Sequence, residues 1–175
     1  VVPEKYNVEL KTSGGHIEVA DLNGSAVCST SGGKVDIKNI KGPVAVKTSG
    51  GSINLDGSTG DVKLNTSGGG IKIGSVDGNI DANTSGGTIE IIRAGGDVKA
   101  HTSGGSVRVE EIRGVIDAST SGGSITASIS QQPAADCRLT SSGGSISVCL
   151  NPNCKISINA STSGGGVKTD VPVTI

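Results

Sequence analysis

Apolar and polar residues alternate along this chain in short bursts, and the bursts recur every 18 positions. In residues 66–83, Ile71 and Ile73 flank Lys72, Val76 stands alone, and Ile80 and Ala82 flank Asp81. Alternation with a period of two predicts half-buried strands. One is expected around 71–73 and another around 80–82, with Val76 on a short side between them. The same template recurs in the first strand as Ile17/Val19, Val35/Ile37, Ile53/Leu55, Ile89/Ile91 and Val107/Val109. It recurs in the last strand as Ala26/Cys28, Val44/Val46, Val62/Leu64, Val98/Ala100 and Ile116/Ala118.

Between the bursts lies a fixed phrase. Thr-Ser-Gly-Gly starts at Thr12, Thr30, Thr48, Thr66, Thr84, Thr102 and Thr120; Ser141-Ser142-Gly143-Gly144 follows 21 residues later, and Thr162 after another 21. A short fixed period is the signature of a solenoid, each repeat one coil stacked on the last. The expected fold is all-β: a single-stranded parallel β-helix of about 18 residues per coil and roughly nine coils. Three strand segments and three turns per coil predict a triangular cross-section. With coils about 4.8 Å apart, the rod is on the order of 40 Å long. The inward positions are unevenly spaced, unlike the six-residue aliphatic repeat of left-handed β-helices, so a right-handed coil is expected.

The glycines are expected to be structural corners, where positive φ is free of a Cβ clash. These are Gly14, Gly15, Gly32, Gly33, Gly50, Gly51, Gly68, Gly69, Gly86, Gly87, Gly104, Gly105, Gly122, Gly123, Gly143 and Gly144. A second turn glycine recurs as Gly24, Gly42, Gly60, Gly78, Gly96 and Gly114. The repeat threonine keeps the parity of the inward residues, so its hydroxyl is expected to bond a corner backbone group or its stacked neighbour. The serine after it faces outward.

The chain reads as one domain, residues 1–175. Residues 1–11 form a capping strand, with Pro3 and Tyr6 near the open end. Residues 12–161 are the repeat coils, longer from 120. Residues 162–175 are an incomplete last coil, in which Pro172 discourages further pairing. The extra residues of the two long coils fall at 128–136 and 149–154, both containing proline.

Composition narrows the function. Tyr6 is the sole aromatic residue, so Val, Ile, Leu and Ala must fill a narrow interior. The 29 glycines could suggest disorder, but a disordered chain has no reason to keep strict apolar periodicity. A net charge of −1 offers no pull toward nucleic acid or an anionic membrane. No apolar run approaches the roughly 18 residues of a membrane helix. The chain opens on Val1 and not Met, and is expected to be a trimmed or mature fragment, so a missing targeting segment carries no information.

Candidate chemistry is sparse. Cys149 and Cys154 flank a Leu-Asn-Pro-Asn turn; a disulfide across that loop and a pair of reduced thiols both fit it. Cys28 and Cys137 fall on inward positions about six coils apart, too far to bridge. No Cys-x-x-Cys pair suggests zinc, and no cofactor motif follows a strand-to-helix transition. His16 and His101 are read as outward residues at distant corners. Lys63, Asp81, Lys99 and Asp117 form an outward column of alternating sign, expected to be a solvated salt ladder. Glu18 and Asp36 stack in like sign, where a weak cation competes with two solvated carboxylates. Arg93, Arg108 and Arg113 lie near Glu90, Glu110 and Glu111, the one charged group weighed for catalysis; a surface ion-pair network is the plainer reading. Enzymes that cleave polysaccharides need clustered carboxylates in a cleft and usually aromatic platforms for sugar rings, so the expectation is a protein that is not an enzyme. Ice binding needs outward threonine ladders, and these threonines point inward.

The block Thr-Ser-Gly-Gly-x-Ile-x-Val, followed by an apolar residue, a glycine and a Val-x-Ala strand, resembles a bacterial adhesin-labelled domain family of unknown function, the DUF4097/DUF2807-like β-solenoids. Residues 2–15, Val-Pro-Glu-Lys-Tyr-Asn-Val-Glu-Leu-Lys-Thr-Ser-Gly-Gly, look especially like its members from Bacteroidetes-type bacteria. The resemblance covers nearly the whole chain. It implies a right-handed β-helix, export to the cell surface or periplasm, and an adhesive or structural role, and it carries over no catalytic residues. The implied partners are a glycan or another host or cell-surface ligand, or further copies joined end to end through unpaired terminal strands.

Overall fold

The computed structural model describes residues 6–151, 153–155 and 157–170. The expectations for Pro3 and Pro172 lie outside these residues. The strands are β1 (Val8–Thr12), β2 (Ile17–Asn23), β3 (Ala26–Thr30), β4 (Val35–Lys41), β5 (Val44–Lys47), β6 (Ile53–Ser58), β7 (Val62–Asn65), β8 (Ile71–Val76) and β9 (Ile80–Asn83). They continue as β10 (Ile89–Ala94), β11 (Val98–Thr102), β12 (Val107–Ile112), β13 (Ile116–Thr120), β14 (Ile125–Ile129), β15 (Cys137–Ser141), β16 (Ile146–Leu150), β17 (Ile158–Thr162) and β18 (Val167–Thr169).

Odd-numbered strands form one nine-stranded sheet in chain order, and even-numbered strands form a second. Every pairing is parallel, and in the early coils partners are 18 positions apart, as Val44 with Val62 and Val62 with Ile80. This is a β-solenoid of nine turns. The core is the space between the sheets, a stack of aliphatic columns such as Val35, Ile53, Ile71 and Ile89, each at most 1% exposed. Each coil buries its apolar face only against its neighbours, so stability is distributed along the rod.

The third side of the expected triangle is not a separate strand. In β10, Ile89 and Ile91 point in, Ile92 and Arg93 both point out, and Ala94 points in again. The strand bends between Ile91 and Ala94 and continues, and its ladder to β8 persists across the bend through Arg93↔Ser75 and Ala94↔Val76. Pairing resumes beyond the bend, as with Ile91↔Val109 and then Ala94↔Ile112, so the strand continues. Three coils make this bend with a left-handed residue, Asp21, Asn39 and Glu111, at φ 53°, 52° and 44°. Asp and Asn tolerate that region better than other side chains.

The long coils are explained by the same register. Ile112 pairs with Ile129, 17 positions on, with a bulge after Val109. The surplus therefore falls in the segments between β14 and β15 and between β16 and β17. These are tied together by Gln132, whose Oε1 accepts from Lys155 N–H at 2.6 Å and whose Nε2 donates to Lys155 C=O at 2.8 Å.

One core position breaks the apolar rule. Ser58 is 6% exposed in a column otherwise filled by residues such as Ile40 and Val76. Its hydroxyl donates to the Gly42 carbonyl at 2.7 Å and accepts from Gly60 N–H at 3.2 Å, so its burial leaves no unpaired polar atom.

Candidate functional site

The Thr-Ser-Gly-Gly corner is a hydrogen-bond relay. Thr48 Oγ1 donates to the Gly33 carbonyl of the preceding coil at 3.2 Å and accepts from Gly51 N–H of its own coil at 3.3 Å. Thr84, Thr102 and Thr120 repeat both bonds. Ser141 substitutes for threonine in the eighth coil and makes the same pair, to Gly123 C=O at 2.9 Å and from Gly144 N–H at 3.0 Å. Of the two roles open to the inward hydroxyl, the fold uses the backbone one.

The expected reason for the corner glycines is corrected. None of the Thr-Ser-Gly-Gly glycines has positive φ; among glycines of the described residues, only Gly24 and Gly42 do. From the second phrase on, the second glycine is required by close approach instead. A Cβ on Gly105 would overlap the carbonyl oxygen of Gly87, and Gly33, Gly51, Gly69, Gly87, Gly123 and Gly144 meet the same obstacle. The first glycine is far less constrained: a Cβ on Gly14 or Gly32 meets nothing, and on Gly104 it lies 3.4 Å from Gly86 O.

A second ladder escaped the sequence reading. Asn79 N–H donates to Asp61 Oδ1 at 2.8 Å, Asp97 N–H to Asn79 Oδ1 at 2.9 Å, and Val115 N–H to Asp97 Oδ1 at 2.8 Å. Ser25 N–H donates likewise to Asn7 Oδ1 at 2.9 Å. The signal was visible, since Gly60-Asp61, Gly78-Asn79 and Gly96-Asp97 recur at the coil period. Turn-type Asp and Asn here serve the next coil's backbone.

These corners hold the outward face of the odd-numbered sheet in register. One column runs Lys47, Asn65, Asn83, His101 and Ser119. Beside it, at the corner, runs an exposed serine in every coil, among them Ser49, Ser67, Ser85, Ser103 and Ser121. Together the two columns line a groove of about 490 Å³. Within it Asn83 Nδ2 donates to Asp81 Oδ1 at 2.6 Å, and His101 Nδ1 lies 2.7 Å from Ser119 Oγ. The groove presents a serine hydroxyl at each turn and side-chain amides at Asn65 and Asn83.

The remaining candidates resolve individually. Lys63, Asp81, Lys99 and Asp117 do form one column, but among the described residues only Lys63 and Asp81 reach ion-pair distance, 3.8 Å. The expected continuous ladder is therefore an aligned column with one closed contact. Glu18 and Asp36 are stacked, and each has a cation beside it: Lys38 Nζ is 3.4 Å from Glu18, and Lys34 Nζ and His16 Nε2 are 2.9 and 3.4 Å from Asp36. Desolvation raises the Asp36 pKa, but hydrogen bonds from Lys34 and Asn54, with the charges of Lys34 and His16, outweigh it and hold the carboxyl below its ordinary value. Arg93 pairs with Glu111 at 2.7 Å, Arg108 with Glu110 at 2.9 Å, and Lys72 with Glu90 at 3.6 Å. His16 and His101 are not brought together: His16 precedes β2 and His101 lies on β11.

All four cysteines are free thiols; Cys28 and Cys137 are buried, Cys149 is exposed, Cys154 is half-buried, and no bond joins the last two. Burial pushes the Cys28 and Cys137 thiols up, so neither is an activated nucleophile. No helix among the described residues is long and apolar enough to cross a membrane.

No curated protein and no solved structure matches this chain. The sequence profile of the family described as Toastrack DUF4097 matches residues 1–110. That span holds the first six Thr-Ser-Gly-Gly corners, and with more than half of its length matched, this chain belongs to the Toastrack DUF4097 family.

Proposed function

We propose that this Toastrack domain is a non-enzymatic binding module, exported to the surface or periplasm of a bacterium, which acts as an adhesin. Its contact surface is the outward face of the odd-numbered sheet, and its ligand is a glycan or another cell-surface polymer. One observation carries this reading: the fold places Asn65 and Asn83 on one column and Ser67 and Ser85 on the next, in strict register along a groove. A polymer lying along the rod meets an exposed serine hydroxyl at each coil, with amides beside it at Asn65 and Asn83, and many weak contacts sum to useful avidity. The charged group weighed for catalysis supports the non-enzymatic side, because Glu90, Glu110 and Glu111 each sit against a cation on the surface.

Binding of isolated envelope polysaccharides to wild type and to Asn65→Leu/Asn83→Leu tests this reading. The expected result is binding that falls about tenfold or more in the variant, about 1.4 kcal/mol, with an unchanged melting temperature. Equal binding by both proteins overturns the assignment of the face. Location is tested by protease shaving of intact native cells: loss of the protein places it outside, and survival until the outer barrier is opened favours the periplasm.

A second reading, an envelope scaffold that stacks end to end, is favoured by the terminal coils. β17 and β18 are edge strands, and Val167 on β18 is 50% exposed. Parallel edges of this kind template further pairing. This reading predicts concentration-dependent rods in electron micrographs, shortened by Val167→Lys.

A further inference from the structure

The column on β7, β9, β11 and β13 reads Lys63, Asp81, Lys99, Asp117. Reversed, it reads Asp-Lys-Asp-Lys, the complement of itself. Among the described residues, Lys99 and Asp117 have no ion pair within the chain, and the Lys63–Asp81 contact is long at 3.8 Å, with the lysine side chain 66% exposed. Half of this charge pattern is therefore unanswered inside the molecule.

We infer that a second copy of this chain is a partner of the odd-numbered sheet, packed face to face and antiparallel, with Lys63 opposite Asp117 and Asp81 opposite Lys99. A two-fold axis along the strand direction reverses the coil order and keeps each column opposite itself. Every lysine of the run then meets an aspartate, and symmetry doubles each pair. A slip of one coil sets Lys99 against Lys99 and Asp81 against Asp117, so the alternation also rejects the nearest wrong registers. The neighbouring column adds no like charges: Asn65 lies opposite Ser119, Asn83 opposite His101, and Lys47 opposite Thr140.

Eight coils overlap in this register, a strip about 38 Å long and about 13 Å wide. That is about 500 Å² per copy, at the low end for specific association. Contact between two soluble copies is weak and salt-sensitive, whereas many copies on a surface gain avidity. Homotypic pairing rests on the reading of this face as the binding face and names one of its partners.

The test is sedimentation velocity of the whole chain from about 10 μM to 1 mM, in low and high salt. Wild type is expected to shift toward the dimer with concentration, with association about tenfold weaker at high salt. Lys63→Asp/Lys99→Asp and Asp81→Lys/Asp117→Lys each give these four positions one sign, with Arg138 unchanged as the next residue of the column, and are expected to stay monomeric, while their equimolar mixture associates one to one. The exchange Asp81→Lys/Lys99→Asp disturbs the alternation within a chain but keeps every antiparallel pair complementary, and is expected to associate like wild type. A wild type that stays monomeric throughout, or single-sign variants that associate as wild type does, overturns the inference. Polysaccharide binding by the same proteins separates the two claims: if it persists in a monomeric wild type and falls in Asn65→Leu/Asn83→Leu, the homotypic partner is wrong and the binding face stands.

Discussion

Thr102 donates its hydroxyl hydrogen to the carbonyl of Gly87 in the preceding coil, at 2.9 Å. The same oxygen accepts from Gly105 N–H at 3.3 Å, so one side chain ties two consecutive corners. The relay needs a hydroxyl at the first position of the phrase and a bare backbone at the fourth. Both requirements can be tested separately.

Thr102→Val keeps the shape of the side chain and removes the hydroxyl. Because Thr102 is 6% exposed, Gly87 C=O and Gly105 N–H are left without this partner in a largely dry corner. A loss of about 1–3 kcal/mol is expected in denaturant unfolding. Thr102→Ser should cost less, within about 1 kcal/mol, since Ser141 already performs the task in the eighth coil.

Gly105→Ala and Gly104→Ala should behave oppositely despite being neighbours. The first drives a methyl into Gly87 C=O, while the second meets Gly86 O at 3.4 Å. Gly105→Ala is expected to cost more than about 3 kcal/mol, and Gly104→Ala less than about 1 kcal/mol. Thermal melts of the two variants side by side decide it; equal melting temperatures would show that the corners relax without cost.

Asp97→Ala removes the acceptor for Val115 N–H, and a loss of about 1 kcal/mol is expected. Asp97→Asn retains the side-chain oxygen, as Asn79 does one coil earlier, and should melt near wild type. If the Asn variant is as weak as the Ala variant, charge and not the hydrogen bond is what matters there.

Asp36 titrates below its ordinary value in the folded protein. A carboxyl depressed by folding contributes stability above its unfolded pKa and loses it as pH falls through the folded one. Stability is therefore expected to decline below about pH 4, and the decline should be shallower in Asp36→Asn. Urea midpoints between neutral and acidic pH measure this; parallel curves for the two proteins would remove Asp36 from the acid response.

Thiol labelling under native conditions should modify Cys149 readily and Cys154 more slowly, without prior reduction, and spare Cys28 and Cys137 until the chain unfolds. Burial and the upward pKa shifts of the last two set this order. Failure of Cys149 and Cys154 to label before reduction would show that they are bonded in solution.

Some of this was legible in the chain. The alternation at Ile71/Ile73 and Ile80/Ala82 named the strands, and the inward parity of Thr84 placed its hydroxyl. The bend inside β10 was not legible, because Ile92-Arg93 reads as the end of one strand as easily as a kink within it. The role of Gly105 was misread because positive φ and close approach both select glycine, and only the neighbouring coil's backbone tells them apart. The Asp61–Asn79–Asp97 ladder was hidden by its ordinary appearance, since Gly-Asp and Gly-Asn are also common turn dipeptides.

The sequence by itself determined that this is a β-solenoid: the 18-residue period and the two-residue alternation bury the apolar positions in stacked coils, whose narrow interior needs no Phe, Trp or Met. Those are local properties, written one coil at a time. Tertiary structure decided what the stacked coils do to one another: which glycine must be bare, which hydroxyl bridges two coils, and which outward residues share a column. A column is a contact between residues 18 or 21 positions apart, and its chemistry exists only after the register between coils is set.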